Sequence, residues 1–239
     1  MSQVLNFQRI LHDTGNINLH SLIVQQQKHH HNNPQPDIFF CHNRIKIANK
    51  ISKAINTLGK SKQGNRVITG TRGIGKTLFF KKAAIALSTH STLIPIYANY
   101  EKCIIAPSEL LKSACQLQNI EIGDKSSKNI DSLIKAVTSQ GKTFSLSKLT
   151  FLGRKPIFFI DEIQKLYSSS VSLINDILTE FSALIDNVNT RLFLIGNCDS
   201  LLPNSSTFPD LPKLNIKPTT MGPSSDTEIE DYLSKIFVK

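Results

Sequence analysis

An α/β fold built on a parallel sheet is what this sequence predicts, and three stretches predict it. Asn65 to Thr69 is a short strand-like run that enters a glycine-rich turn, and Lys76 to Leu87 leaves that turn as a helix. Arg154 to Glu162 holds an apolar run, Ile157 to Ile160, that ends in two acids, and Arg191 to Asn197 holds another that ends in an amide. Runs this apolar suit strands covered on both faces, as parallel strands joined by helices are.

The turn is the most informative of the three. Gly70-Thr71-Arg72-Gly73-Ile74-Gly75-Lys76-Thr77 is a complete G-x-x-x-x-G-K-[ST] pattern, placed between a strand and a helix as a phosphate-binding loop must be. The glycines let backbone N–H groups turn inward around phosphate oxygens, and the helix start adds partial positive charge. Lys76 would reach the β- and γ-phosphates, the Thr77 hydroxyl is a hard oxygen ligand of the kind Mg²⁺ prefers, and Leu78 closes the nucleotide-contacting stretch.

From the beginning of the chain, residues 1–36 read as a separate arm. Val4 to Val24 carries Leu5, Ile10, Leu11, Ile17, Leu19, Leu22 and Ile23 without clean periodicity, and Gln25 to Pro36 is a polar low-complexity tract. Such a tract cannot bury enough apolar surface to offset its ordering entropy, so it is expected to be a disordered linker, the segment before it at most a loosely docked arm, and residues 1–36 largely disordered. Order should start at Asp37. Ile47, Ile51, Ile55 and Leu58 recur at helical spacing, which predicts an amphipathic helix over Asn43 to Leu58. Thr92 to Asn99 reads as a second strand, and its Pro95, having no N–H for a ladder, suits a sheet edge. Residues 107–118, 127–138 and 144–152 are helical candidates inserted between strands.

The acids that close the next strand suit a ligand site. A carboxylate at the carboxyl end of a parallel strand lies in the crevice where such sheets bind ligands, so Asp161 can hold a magnesium shell beside Thr77. Glu162 can then polarise an attacking water. Val171 to Asn187 is a strongly amphipathic helix given over to packing, and Asn197 ends the following strand within reach of the same crevice.

Composition bounds the rest. With 239 residues, 40% of them apolar, the chain can bury one sizeable core, and a single domain with an arm is expected. No run of about 18 apolar residues occurs, and no basic region followed by an apolar core opens the chain, so a soluble intracellular protein with no membrane contact is expected. Cys41, Cys103, Cys115 and Cys198 lie far apart, which indicates neither a zinc knuckle nor a disulfide framework. The formal charge of +10 comes mainly from scattered lysine, among it Lys46, Lys50 and Lys53 on the polar face of the first predicted helix. That balance leaves nucleic acid as a possible partner and solvated surface as the plainer reading.

Taken together, strand, Gly70 to Thr77, helix, apolar run, Asp161-Glu162 and a strand ending in Asn197 resemble the AAA+ superfamily of P-loop ATPases over roughly residues 38–238. Phe40-Cys41-His42-Asn43-Arg44 resembles a short Phe-x-x-x-Arg motif of its archaeal-type and signal-transduction branch, to which replication-initiator ATPases are more distant relatives. The resemblance implies a three-layer P-loop NTPase fold with a five-stranded parallel sheet in the order 5-1-4-3-2. Leu214 to Pro218 would be the fifth strand, and residues 37–223 the ATPase domain. It implies that Gly70 to Thr77 form the Walker A loop, that Asp161 and Glu162 form the Walker B pair, and that Asn197 is the first sensor. It further implies that Phe39 to Arg44 shape the adenine side and that ATP and Mg²⁺ are the ligands.

Two departures from that pattern shape the functional expectation. No arginine follows Arg191, so neither a finger arginine nor a second-sensor arginine can be assigned. A finger arginine raises rates by roughly 10³ to 10⁵ in other P-loop enzymes, so turnover should be slow unless a second copy or a partner protein supplies one. Ser225-x-x-Glu228 reads as a capping box opening a helix with Ile229, Tyr232, Leu233, Ile236 and Phe237 on one face, so residues 224–239 would be the first helix of a truncated lid. Either the chain is a slow ATP-driven switch, with Lys76, Glu162 and Asn197 as catalytic groups, or it is an ATP-binding assembly module that hydrolyses little.

Overall fold

A computed structural model describes residues 16–30, 42–99, 155–168, 171–197, 214, 216–223, 226, 227 and 230. Their order is α1 (Leu19–His30), α2 (His42–Asn56), β1 (Arg66–Gly70), α3 (Lys76–Ser88), β2 (Leu93–Asn99), β3 (Lys155–Asp161), a 3₁₀ turn (Ile163–Ser168), α4 (Val171–Asp186), β4 (Arg191–Asn197) and β5 (Lys217–Thr220). The helices expected at 107–118, 127–138 and 144–152 and most of the 224–239 stretch lie outside the described residues.

The five strands form one parallel sheet in the order β2-β3-β4-β1-β5, which read from its other edge is the expected 5-1-4-3-2. Pro95 and Pro218 lie on the edge strands β2 and β5, where a missing N–H does least harm, while Pro156 sits near the start of the inner strand β3. The central strands are buried along nearly their whole length, because both faces are covered. Ile68, Ile157, Phe159, Phe193 and Ile195 share one core with α1, α2 and α3. Along β3 and β4 the intervening Phe158, Ile160, Leu192 and Leu194 are equally buried, and they face the other way, toward the layer of α4 with its buried Phe181 and Leu184. A run of rings ties helix to sheet: Phe79 meets Phe80 edge-on at 5.1 Å, Phe80 meets Phe159 at 5.5 Å, and Phe159 stacks on Phe193 at 5.2 Å.

Two expectations are corrected here. The arm is not disordered over residues 16–30: Leu19 and Ile23 enter the core, packed where α1 meets α2 and α3. Its weak periodicity conceals this because polar partners, as well as apolar contacts, hold the segment. Asn56 accepts from the Ile17 N–H at 2.8 Å and donates back to the Ile17 carbonyl at 3.0 Å, while the Leu19 N–H donates to Ser52 Oγ at 2.9 Å. The fifth strand is Lys217–Thr220, displaced toward the C-terminus from the expected Leu214 to Pro218, because its register pairs Thr220 with Thr69 at the mouth of the loop.

Arg191 opens β4 fully buried, and among the described residues no carboxylate pairs with it. Its fork instead donates to the Ala54 carbonyl at 2.7 Å, Thr190 at 2.6 Å, Ser61 at 2.8 Å, Val188 at 3.4 Å and Thr57 Oγ1 at 2.9 Å. Ala54 and Thr57 lie at the C-terminal end of α2, where free carbonyls and the helix dipole favour a cation. Burial pushes the guanidinium down to about 10, which leaves it charged at any physiological pH.

Candidate functional site

Every residue singled out at a strand end sits at the same rim of the sheet. In the register, Gly70 of β1 stands opposite Asn197 of β4, and Asp161 of β3 stands opposite Asn99 of β2. Strand β4 separates β1 from β3, so the loop and the acids are two strands apart. The loop and the start of α3 bridge that gap.

Two glycines make the loop possible. Gly75 has φ 86, and a Cβ there would stand 3.2 Å from the Arg44 guanidinium, which donates to the Ile74 carbonyl at 2.8 Å. A Cβ on Gly70 would meet the Met221 carbonyl at 2.9 Å, because the chain after β5 runs beside the loop and donates from Met221 N–H to the Thr69 carbonyl at 2.7 Å. No side chain caps the start of α3, and its first turn carries no acid. A helix start of that kind suits an anion.

Lys76 is buried at the loop, and its ammonium converges on three oxygens: the carbonyls of Gly70 at 2.7 Å and Thr71 at 2.9 Å, and Asn197 Oδ1 at 3.2 Å. The Thr77 hydroxyl donates to Asp161 Oδ2 at 2.7 Å. A hydroxyl and a carboxylate side by side are a hard-oxygen donor set of the type Mg²⁺ takes, so the residues present fit that ion. Among the described residues no cluster of three or more His, Cys, Asp or Glu forms a separate metal site.

Two features of the acid end were not legible in the sequence. Tyr97 of β2, buried, donates its hydroxyl to the same Asp161 Oδ2 at 2.6 Å, and burial together with the Asp161 charge pushes the phenol well above its ordinary value. Glu162 is the one non-glycine residue with positive φ among those described, at 59°. Its N–H donates to Asp161 Oδ1 at 2.8 Å, and its carboxylate accepts from the Gln164 amide two residues on. A left-handed glutamate is strained, and such strain gathers at functional sites.

The remaining predicted residues fall at the rim. Thr71, Arg72 and Gly73 are exposed on the outer side of the loop, Ile74 is partly buried against the core, and Leu78 is half exposed, the largest apolar side chain so placed among the described residues. Of the adenine-side residues, Phe39 and Phe40 lie outside the described residues. Arg44 instead braces the loop from α2, and Asn43 ties that helix to the Pro223 carbonyl at 2.7 Å. No described helix is long and apolar enough to cross a membrane.

Among solved structures, the chain is similar to AMPPCP-bound DnaA from Aquifex aeolicus, with a TM-score of 0.50 and 16% identity over 86% of this chain and 56% of that one. It is also similar to a chain in the structure of Drosophila ORC bound to poly(dA/dT) DNA and Cdc6, with a TM-score of 0.46 and 11% identity over 92% of this chain and 33% of that one. The chain therefore spans about half the length of the DnaA chain and a third of the second chain. No curated protein matches it in sequence. A family model described as an AAA domain matches residues 59–202, which take in the phosphate loop, the Asp161-Glu162 strand end and Asn197. With that match and the strand order of its sheet, the chain belongs to the AAA domain family, the AAA+ P-loop ATPases.

Proposed function

We propose that the chain binds Mg-ATP and hydrolyses it slowly to ADP and phosphate, acting as a nucleotide-controlled switch. The observation that carries this reading is the convergence of Lys76 on Gly70, Thr71 and Asn197, with Thr77 on Asp161 beside it. A buried ammonium that sits on neutral oxygens would exchange them for phosphate oxygens, whose charge makes the stronger partner. Thr77 and Asp161 would hold Mg²⁺, which when bound neutralises charge on the phosphates. Asn197, already on the Lys76 ammonium, is placed to follow whether that ammonium is engaged. Glu162 is the candidate for orienting water.

Among the described arginines Arg72 stands exposed on the loop itself, and the positions of the others support slow turnover. Arg191 and Arg66 open β4 and β1, about 20 Å and 13 Å of strand away from the rim at a rise near 3.3 Å per residue. Arg44 is spent on the loop. A guanidinium from a second copy or a partner protein would then complete the site and accelerate turnover.

One observation favours the second reading, a nucleotide-binding assembly module with little hydrolysis. The Gln164 amide grips the Glu162 carboxylate while its own Oε1 stays buried and unbonded, so the acid is held back by its neighbour. For nucleic acid, the support is the exposed row Lys46, Lys50 and Lys53 on α2. About five phosphate contacts would give a log–log salt slope near −4.5 on duplex, and a flat response would remove that partner.

The deciding experiment is ATP turnover and binding by the purified chain across a range of protein concentrations, with Glu162→Gln beside it. Turnover lost while binding persists supports the switch, and specific activity that climbs with concentration adds completion of the site between copies. Tight binding without turnover in the wild type favours the assembly module.

A further inference from the structure

We propose that Tyr97 is a positioning residue of the magnesium end of the site, fixing through its hydroxyl the orientation in which Asp161 meets the cation. This rests on the nucleotide reading above and adds a residue that neither the loop pattern nor the acid pair contains.

The observations are the bonds around one carboxylate. Asp161 Oδ2 accepts two hydroxyl protons, from Thr77 at 2.7 Å and from Tyr97 at 2.6 Å, while Oδ1 accepts the Glu162 N–H at 2.8 Å. Asp161 is therefore held from α3, from edge strand β2 and from its own chain. The register places Tyr97 opposite Phe159, two residues before the pair Asn99 and Asp161, so the phenol reaches forward along the sheet to the acid. Helix α3 braces the ring as well: Lys81, one turn after Thr77, puts its ammonium 5.7 Å from the ring centroid.

The chemistry of the donor is what suits it to a metal site. A buried phenol needs an acceptor, and satisfying one is the plainest reason for any such bond. Here, however, the acceptor is the one carboxylate beside Thr77, and both side-chain donors are neutral. A lysine or arginine in place of Tyr97 would cancel the charge that a divalent cation needs, whereas a hydroxyl orients the carboxylate and leaves that charge in place. Partners of this kind around metal ligands typically set affinity by about 10- to 100-fold.

The test is binding of a fluorescent ATP analogue to the full chain in saturating Mg²⁺ and in EDTA, with melting temperatures recorded without nucleotide. Tyr97→Phe, which keeps the ring and removes the hydroxyl, is expected to weaken binding in Mg²⁺ by about tenfold and to leave binding in EDTA within about twofold of wild type. Lys81→Met, on an exposed side chain, should move the ratio of the two affinities the same way by about two- to fivefold, and it serves if Tyr97→Phe does not fold. An unchanged ratio in the variants, or equal loss in both arms alongside a lowered melting temperature, overturns the proposal and leaves Tyr97 a packing residue. Failure of the underlying reading looks different: the wild type itself would bind no nucleotide, or bind it identically to Lys76→Ala, and the inference would fall with it.

Discussion

Arg191 and Ala54 are joined by a hydrogen bond of 2.7 Å from the guanidinium Nε to the helix carbonyl, which fastens the first residue of β4 to the last turn of α2. The two stand 137 positions apart in the chain. The bond belongs to a cluster in which every acceptor is neutral, so the cation is held by helix-end and turn carbonyls and a hydroxyl in place of an acid.

Arg191→Ala is expected to destabilise the fold by at least about 3 kcal/mol, because several buried carbonyls lose their donor at about 1–3 kcal/mol each. Arg191→Lys keeps the charge but not the fork, and should recover only part of that. The folded-state value near 10 lies below the ordinary guanidinium value, so the unfolded chain binds more protons above pH 10. This group's contribution to stability is therefore flat below pH 10 and rises above it. Urea denaturation of wild type and variant at pH 7, 9 and 10.5 checks both magnitude and sign.

Lys76→Ala should weaken ATP binding by roughly ten- to a hundredfold, the equivalent of a charge-assisted contact of about 1.5–3 kcal/mol. Its melting temperature without nucleotide should fall modestly, since the buried Gly70 carbonyl loses its donor. Titration with a fluorescent analogue checks this, and unchanged affinity would refute the phosphate-loop assignment.

Glu162→Gly and Glu162→Ala both remove the carboxylate, so both should abolish turnover under the proposed mechanism. They should differ in stability. At φ 59 an alanine keeps the left-handed strain that glycine does not, so the glycine variant should be the more stable of the two by about 1 kcal/mol. Equal unfolding free energies would show that the backbone relaxes once the Gln164 grip is gone.

Leu19→Ala should cost about 2–4 kcal/mol, since the side chain is fully buried between α1 and the helices it meets. Deleting residues 1–30 should lower the melting temperature further. A deletion with wild-type stability would restore the expectation of a loose arm.

Half-buried His90 follows α3, and burial pulls its pKa below the ordinary 6.5. Its Nδ1 lies 3.0 Å from Thr92 Oγ1 and 3.4 Å from the Thr92 N–H. The unfolded chain then binds the proton more readily, so this group's contribution is complete above pH 6.5 and is lost as pH falls toward the folded value. The gap in melting temperature between wild type and His90→Gln should therefore shift against the wild type on acidification, by a small amount because the ring is half exposed.

The sequence by itself determined four of the five strands and the loop. Residues 66–70, 93–99, 155–161 and 191–197 are strands where apolar runs fall between turn residues, and the glycine spacing of Gly70, Gly73 and Gly75 marks a backbone that only such residues accept. These are local properties, written in composition and period, and they need no knowledge of what lies across the fold. The tertiary structure alone decided which polar groups meet. That Tyr97 and Thr77 share one oxygen of Asp161, that Arg191 closes α2, and that the arm is anchored by Asn56 and Ser52 all depend on partners 33 to 137 positions apart. A hydrogen bond depends on distance and direction, to within a few tenths of an ångström, and a one-dimensional pattern carries neither.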